Sequence, residues 1–274
     1  MTNEQRIRQV EFKRKKYIRS AVALIKKTLS SYTADLLHRV SGLTDLGLIE
    51  REIERPITPD RMADALTKIY VKVGSDFARW ELKNIHAGNK AAPKPIEIDF
   101  WERYFESYAR DNVMSKAVWI TETTKAMQLE LFRSTIDQIN REGALDGESI
   151  WNMMKIYRER LGFTDQYRSE RIARTETLRA SNAGSFEGAK NAGIHLLKQW
   201  VPIVDNNSRD DHAAMAGEPA IELDQLFNVG GESMNIPGDG SAENTINCRC
   251  IVSYIPETNE QMFERWDRED GVNG

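Results

Sequence analysis

Ser169-Glu170-Arg171-Ile172-Ala173-Arg174-Thr175-Glu176 opens the part of the chain whose reading decides the fold. The stretch runs on through Lys198-Gln199-Trp200, Asp205, Arg209-Asp210-Asp211-His212 and Pro237-Gly238-Asp239. It closes on Ile246-Asn247-Cys248-Arg249-Cys250 and the run to Tyr254. Its first part is helical, but after Gly193 the texture changes. Leu196 to Val201 is short, apolar and β-compatible. Asn, Asp, Gly and Pro are then frequent up to Asn244, and Arg249 to Ile255 is the strongest strand signal in the chain. Helices first, then loops and a few strands, predict an α+β fold: an extended helical N-terminal region followed by a small α+β domain.

Working back toward the N-terminus, Ile18, Val22, Ile25, Leu29, Tyr32 and Leu36 lie on one helical seam from about Glu4 to Val40, which Ser41-Gly42 ends. Leu43 to Glu54 reads as a short amphipathic turn. Thr58-Pro59-Asp60 starts a second long helix, with Met62, Leu66, Ile69, Val73, Phe77 and Trp80 on one face. The two stripes predict an αα-hairpin or bundle. His86 to Pro95 reads as a linker. Asp99 is then a cap for a helix from Phe100 to Lys116, and a further helix spans Thr123 to Arg141. Asp146 to Ser149 starts another, which Gly162 stops, and Thr164-Asp165 caps the helix carrying Arg171 to Ala180. The expected organisation is an arm or hairpin over 1–98, a helical connector over 99–164, the α+β domain over 165–256 and a charged tail over 257–274.

The net charge of −4 hides an asymmetry. Residues 1–27 carry Arg6, Arg8, Lys13, Arg14, Lys15, Lys16, Arg19, Lys26 and Lys27 against Glu4 and Glu11, a net of +7 that leaves −11 for the remainder. A basic arm on an acidic body suggests contact with DNA or with an acidic protein surface. No apolar run is long enough to cross a membrane, and no secretory signal is visible. Two cysteines one residue apart do not make a disulfide framework, which fits synthesis in the cytosol.

One constellation could do chemistry: His212, Cys248 and Cys250, with Asp205, Asp210, Asp211 and Asp239 as extras. Thiolates and imidazole are zinc ligands, so these three residues could hold a metal. The other reading is that cysteines at i and i+2 share one face of the strand and pack as small apolar groups, with His212 paired to a carboxylate or carbonyl. Arg174 and Glu176, beside Arg171, Arg179 and Glu170, read as a salt-bridge lattice. Neither G-x-S-x-G, H-E-x-x-H nor a P-loop is present.

The ordered set Arg171 to Glu176, Trp200, Asp205…Arg209-x-x-His212…Gly217, Pro237-Gly238-Asp239 and Ile246 to Cys250 resembles the phage Mu F-like, or SPP1-type minor head, family over about residues 165–255. The resemblance makes Arg174, Thr175, Glu176, Trp200, Asp205, Arg209, Asn247 and Arg249 motif residues of a Mu F-like domain. It implies a non-enzymatic head-morphogenesis protein, assembled in the host cytoplasm and kept in the virion, in the head interior near the portal. Its partners would be the portal protein, other head proteins and packaged double-stranded DNA, with no membrane in the mature particle. Its work would be head assembly and DNA packaging or ejection. Asn206-Asn207-Ser208 stand where the family often has a shorter turn. Residues 257–274 are too few for the toxin or enzyme domains fused to some relatives. The competing function is a zinc-dependent DNA-processing enzyme, a nuclease, using His212, Cys248 and Cys250.

Overall fold

The computed structural model describes residues 2–87, 98–142 and 147–257. Helices α1 (Asn3–Arg39), α2 (Leu46–Glu54), α3 (Asp60–His86), α4 (Ile98–Glu142) and α5 (Gly147–Lys190) precede a small mixed region. There β1 (Leu196–Val201), β2 (Ile221–Glu222) and β5 (Ile251–Pro256) form an antiparallel sheet in the order β2-β1-β5. Between them lie α6 (Asp210–Ala214), the hairpin of β3 (Phe227–Val229) and β4 (Glu232–Met234), and α7 (Ala242–Thr245). The fold is α+β, as the change of texture after Gly193 predicts. In β1 and β5, Trp200 pairs with Val252 and Lys198 with Tyr254.

Several local expectations give way. The turn at Leu43 to Glu54 contains a true helix, α2, whose N-cap Asp45 accepts the backbone N–H of Leu48 at 2.8 Å. The two helices expected over Phe100–Lys116 and Thr123–Arg141 are one, α4, and Asp99 lies inside it rather than capping it. Its buried seam runs Trp101, Phe105, Ala109, Val113, Ala117, Ile120, Thr124, Gln128, Phe132, Thr135, Ile139. The middle of that seam is polar, which hides it from a hydrophobic pattern. The Thr124 and Thr135 hydroxyls donate to their own helix at Ile120 O (2.7 Å) and Leu131 O (2.6 Å), so burial leaves neither donor unpaired.

Helix α5 likewise runs straight through Gly162 and Thr164-Asp165. The Thr164 hydroxyl donates back to Arg160 O at 2.8 Å instead of capping a new helix. Gly162 faces open space, so its cost is only the backbone entropy of a helical glycine, about 1 kcal/mol. Most of the His86–Pro95 linker, the Gly143 stop with Asp146, and the tail after Glu257 lie outside the described residues.

The chain divides into two compact units that interleave along the sequence: Met1–Lys16, Tyr70–Phe105 and Thr177–Gly274 form one, Tyr17–Ile69 and Glu106–Glu176 the other. In the second, Leu36, Val40, Ile49, Ile53, Phe132, Ile139, Met153, Tyr157 and Leu161 make a single buried cluster. Tyr157 meets Phe132 edge-on at 5.5 Å and donates its hydroxyl to Gln128 O at 3.0 Å. Beside them Asp165, 2 % exposed, accepts the Thr33 hydroxyl at 2.8 Å, and Arg168 donates to Thr124 Oγ1 at 3.1 Å.

Burial pushes the Asp165 carboxyl above its ordinary 3.8. An acid whose folded pKa is raised binds its proton more tightly in the folded state. Stability therefore falls as pH rises from the unfolded value through the folded one, and the penalty persists at neutral pH. Asp165→Asn is expected to raise the urea midpoint at pH 7, with the advantage shrinking as pH falls through the raised folded value and essentially gone below about pH 3.8. A lower midpoint at pH 7 would show that the charged form is the favoured one.

In the first unit, α3 and α5 touch backbone to backbone. A Cβ on Gly184 would lie 2.3 Å from Gly74 O, and one on Gly188 would lie 2.5 Å from Ala78 O. Ser75 donates to Trp101 O at 3.1 Å, and Phe105 fills the space over Gly74. Together these contacts support the end of α5 from which the sheet departs.

Candidate functional site

Three backbone devices build the cysteine–histidine region. After β1 the chain turns through Asp205, whose Oδ1 accepts the N–H of Asn207 at 2.9 Å, while its own N–H donates to Ser208 Oγ at 2.8 Å. That turn delivers Arg209 and the short helix α6, which carries His212. On the other side, Asn247 takes a left-handed backbone (φ 61°) after α7, a conformation asparagine tolerates, and this turns Cys248 inward.

Two arginines tie these segments together. Arg209 donates to Ile246 O at 2.8 Å, and Arg249 pairs with Asp205 Oδ1 at 2.6 Å. The Arg-x-x-His spacing thus has a physical sense. One turn of chain separates the residue that grips the cysteine segment from the residue that faces its sulfurs.

The result is a convergent set. Nδ1 of His212 lies 3.5 Å from Cys248 Sγ and 3.4 Å from Cys250 Sγ. The three residues are 3 %, 8 % and 4 % exposed. Trp200 stands edge-on to the imidazole at 5.7 Å and to Phe227 at 5.4 Å. Two expectations are corrected here. The cysteines precede β5 rather than sit within it, and the His212 ring faces sulfur rather than a carboxylate. Asp211 Oδ1 instead accepts the His212 backbone N–H at 2.8 Å.

Hydrogen bonding from Cys250 and from His212 draws the Cys248 thiol well below its usual range. Cys250, hydrogen-bonded to the Cys248 sulfur and buried, is pushed up. The hydrogen bond to Cys248 raises His212 in turn.

Behind the sulfurs sits Arg14 of α1. Its Nε donates to Ser181 Oγ (2.7 Å), Nη2 to Asn182 Oδ1 (2.7 Å) and Nη1 to Arg249 O (3.1 Å). Burial lowers it to about 10, opposed by the charge of Cys248 and Cys250. Asn182 also donates to Pro237 O (2.8 Å) and Cys250 O (3.2 Å), and Arg179 Nε donates to Gly238 O (3.0 Å).

The remaining predicted residues fall elsewhere. Arg174 pairs with Glu170 at 3.2 Å on an exposed face, while Thr175 and Glu176 are buried, all three in the other compact unit. The basic arm is corrected in part. Arg6 and Arg14 are interior, and Lys13 leans on Asp76 at 3.8 Å. Arg8, Lys15, Lys16, Arg19, Lys26 and Lys27 are exposed.

Lys198 escaped the sequence reading. It is fully buried, its ammonium 5.1 Å from the rings of Phe186 and Phe227 and donating to Asn235 O at 3.0 Å. Only its place in an alternating apolar strand could have signalled that. A second donor group, His195 with Glu222 (3.2 Å) and Glu257 (3.1 Å), lies at the end of the sheet. Its two carboxylates meet opposite ring nitrogens, so one ion bound to the ring would engage only one of them.

An NAD(+)–arginine ADP-ribosyltransferase, EFV, of Enterococcus faecalis is 34 % identical over 89 residues, which is 31 % of this chain. The matched part spans only 18 % of that relative. No solved structure is significantly similar. The family model described as phage Mu protein F like protein matches residues 134–253, which hold Arg174 to Glu176, Trp200, Arg209, His212 and both cysteines. Over those residues, a little under half of its length, the chain is similar to the phage Mu protein F like family.

Proposed function

We propose that this chain is a portal-associated minor head protein that assists head assembly and DNA packaging or ejection, and that it acts without catalysis. The family match over residues 134–253 carries this reading, because Mu F-like proteins are structural phage head-morphogenesis proteins. The arrangement of the cysteine–histidine cluster supports a structural role. It is buried, and Trp200 stands edge-on to its imidazole. The transferase activity is named for the E. faecalis relative, 18 % of whose length the match covers.

Exposed cations on α1 supply the surface for a polyanionic partner. Arg8, Lys15, Arg19 and Lys26 recur at steps of seven and four residues, with Lys16 and Lys27 beside them. The partner proposed for them is packaged DNA or an acidic face of the portal. Substituting Lys15, Lys16, Arg19, Lys26 and Lys27 by Ser is expected to weaken binding to random-sequence duplex. The log–log salt dependence should flatten by up to about 0.9 for each phosphate that is no longer neutralised. Affinity and slope unchanged by the substitution would remove DNA as the partner. Co-purification with the portal protein, and the chain's presence in intact virions by mass spectrometry, test the head reading itself.

A further inference from the structure

We propose that His212, Cys248 and Cys250 form a zinc-binding site, with the fourth position taken by water or an exogenous ligand. The donor chemistry comes first. Two thiol sulfurs and an imidazole are a soft set that suits zinc and not magnesium or calcium. The spacing comes second. Zinc bonds of about 2.3 Å to sulfur and 2.0–2.1 Å to nitrogen at tetrahedral angles put those atoms about 3.5 Å apart. The two sulfur–nitrogen separations in this protein are 3.5 and 3.4 Å. All three donor atoms lie within 4.8 Å of one another.

Ordinary hydrogen bonding accounts for this arrangement less well. A ring nitrogen carries one proton or one lone pair and can serve one sulfur, yet two sulfurs meet the same Nδ1. The far ring nitrogen, Nε2, is buried without a hydrogen-bond partner among the described residues. The imidazole is therefore oriented from its sulfur-facing side. Further support comes from the segments that carry the three donors. Arg209 and the Arg249–Asp205 pair fix the two ligand-bearing segments. Arg14 and Asn182 hold the carbonyls of Arg249 and Cys250 from behind, and Arg14 sets a positive charge beside the thiolates. A metal here would lock the first turns of α1 to the loops after β1 and before β5.

The test uses the full chain. Elemental analysis after purification with zinc in the medium is expected to give one zinc per chain. Exchange into cobalt(II) is expected to give intense thiolate-to-metal charge-transfer bands and tetrahedral d–d bands in the visible. Cys248→Ser with Cys250→Ser should abolish both signals. His212→Ala should weaken cobalt binding at least tenfold while leaving a thiolate band. Substoichiometric zinc and no thiolate–cobalt bands in the wild-type protein would overturn the site, and this measurement does not depend on the variants folding. Stoichiometric metal that survives the double serine substitution would also overturn it, by placing the ion elsewhere. Neither result bears on whether the chain is a head protein.

Discussion

Gly184→Leu is expected to destabilise strongly the unit that holds the sheet. Helices α3 and α5 approach through small residues four apart on each, Gly74 and Ala78 against Gly184 and Gly188. The atom in the way of a new side chain at 184 is a backbone oxygen at 2.3 Å, followed by Phe77 Cβ at 2.9 Å. Neither can rotate aside, so the helices must separate and give up their packing along the crossing. Overpacking typically costs 1–3 kcal/mol, and this case belongs at or above the top of that range, about 3 kcal/mol or more.

The sign of a smaller change is the sharper test. Alanine is a better helix former than glycine by about 1 kcal/mol. Gly184→Ala should nevertheless destabilise, whereas Gly162→Ala, which faces open space, should stabilise by up to that amount. Urea unfolding of the two variants decides it. Equal gains at both positions would mean that the helices are not in backbone contact.

Arg6→Ala should cost about as much by a different route. The Arg6 guanidinium meets Glu81 with two hydrogen bonds, 3.0 Å at Oε1 and 2.5 Å at Oε2, and its Nε donates to Val252 O at 2.8 Å. The side chains are 6 % and 1 % exposed, with Trp80 and Tyr254 rings 5.4 and 5.6 Å from the guanidinium carbon. Removing one partner of a buried pair strands the other charge, a loss of about 3–5 kcal/mol. Replacing both, as Arg6→Met with Glu81→Leu, should recover much of that loss, because no buried charge is then left unpaired. A double-mutant cycle in urea measures this coupling. If Arg6→Ala costs less than about 0.5 kcal/mol, the range of ordinary surface positions, the first turns of α1 are a free arm after all.

This arginine also shows why the basic N-terminus was only half legible. A count of charges treats Arg6, Arg14 and Lys15 alike. Along α1, though, 6, 10 and 14 repeat at helical spacing around Val10, so two arginines point inward with it. Whether an inward arginine is tolerable depends on what meets it. Glu81, Ser181 and Asn182 lie 75 to 168 residues away in sequence, and nothing local announces them. Lys198 is the same case in a strand, made possible by Phe186, Phe227 and the carbonyl of Asn235.

The lengths of α4 and α5 failed to show for a related reason. Polar residues at Thr124, Gln128, Asp165 and Arg168 interrupt the apolar rhythm, yet the folded chain buries them. Thr124 and Asp165 find their bonds in their own helix or in Thr33, and Arg168 finds Thr124.

By itself the sequence determined the fold class, the start of α3, the end of α1 at Gly42, the strands β1 and β5, and the set His212, Cys248, Cys250 as the place to look for chemistry. These features rest on local physics: a glycine free to take φ +80°, a proline at a helix start, β-branched runs, and residue types with only a few uses. Tertiary structure alone decided that both sulfurs meet one nitrogen of His212, that Arg14 stands behind them, and that glycines close the contact of α3 with α5. Each of these depends on distances across the fold that arise only when distant segments pack. A residue's type restricts what it can do, and its neighbours in space select which of those things it does.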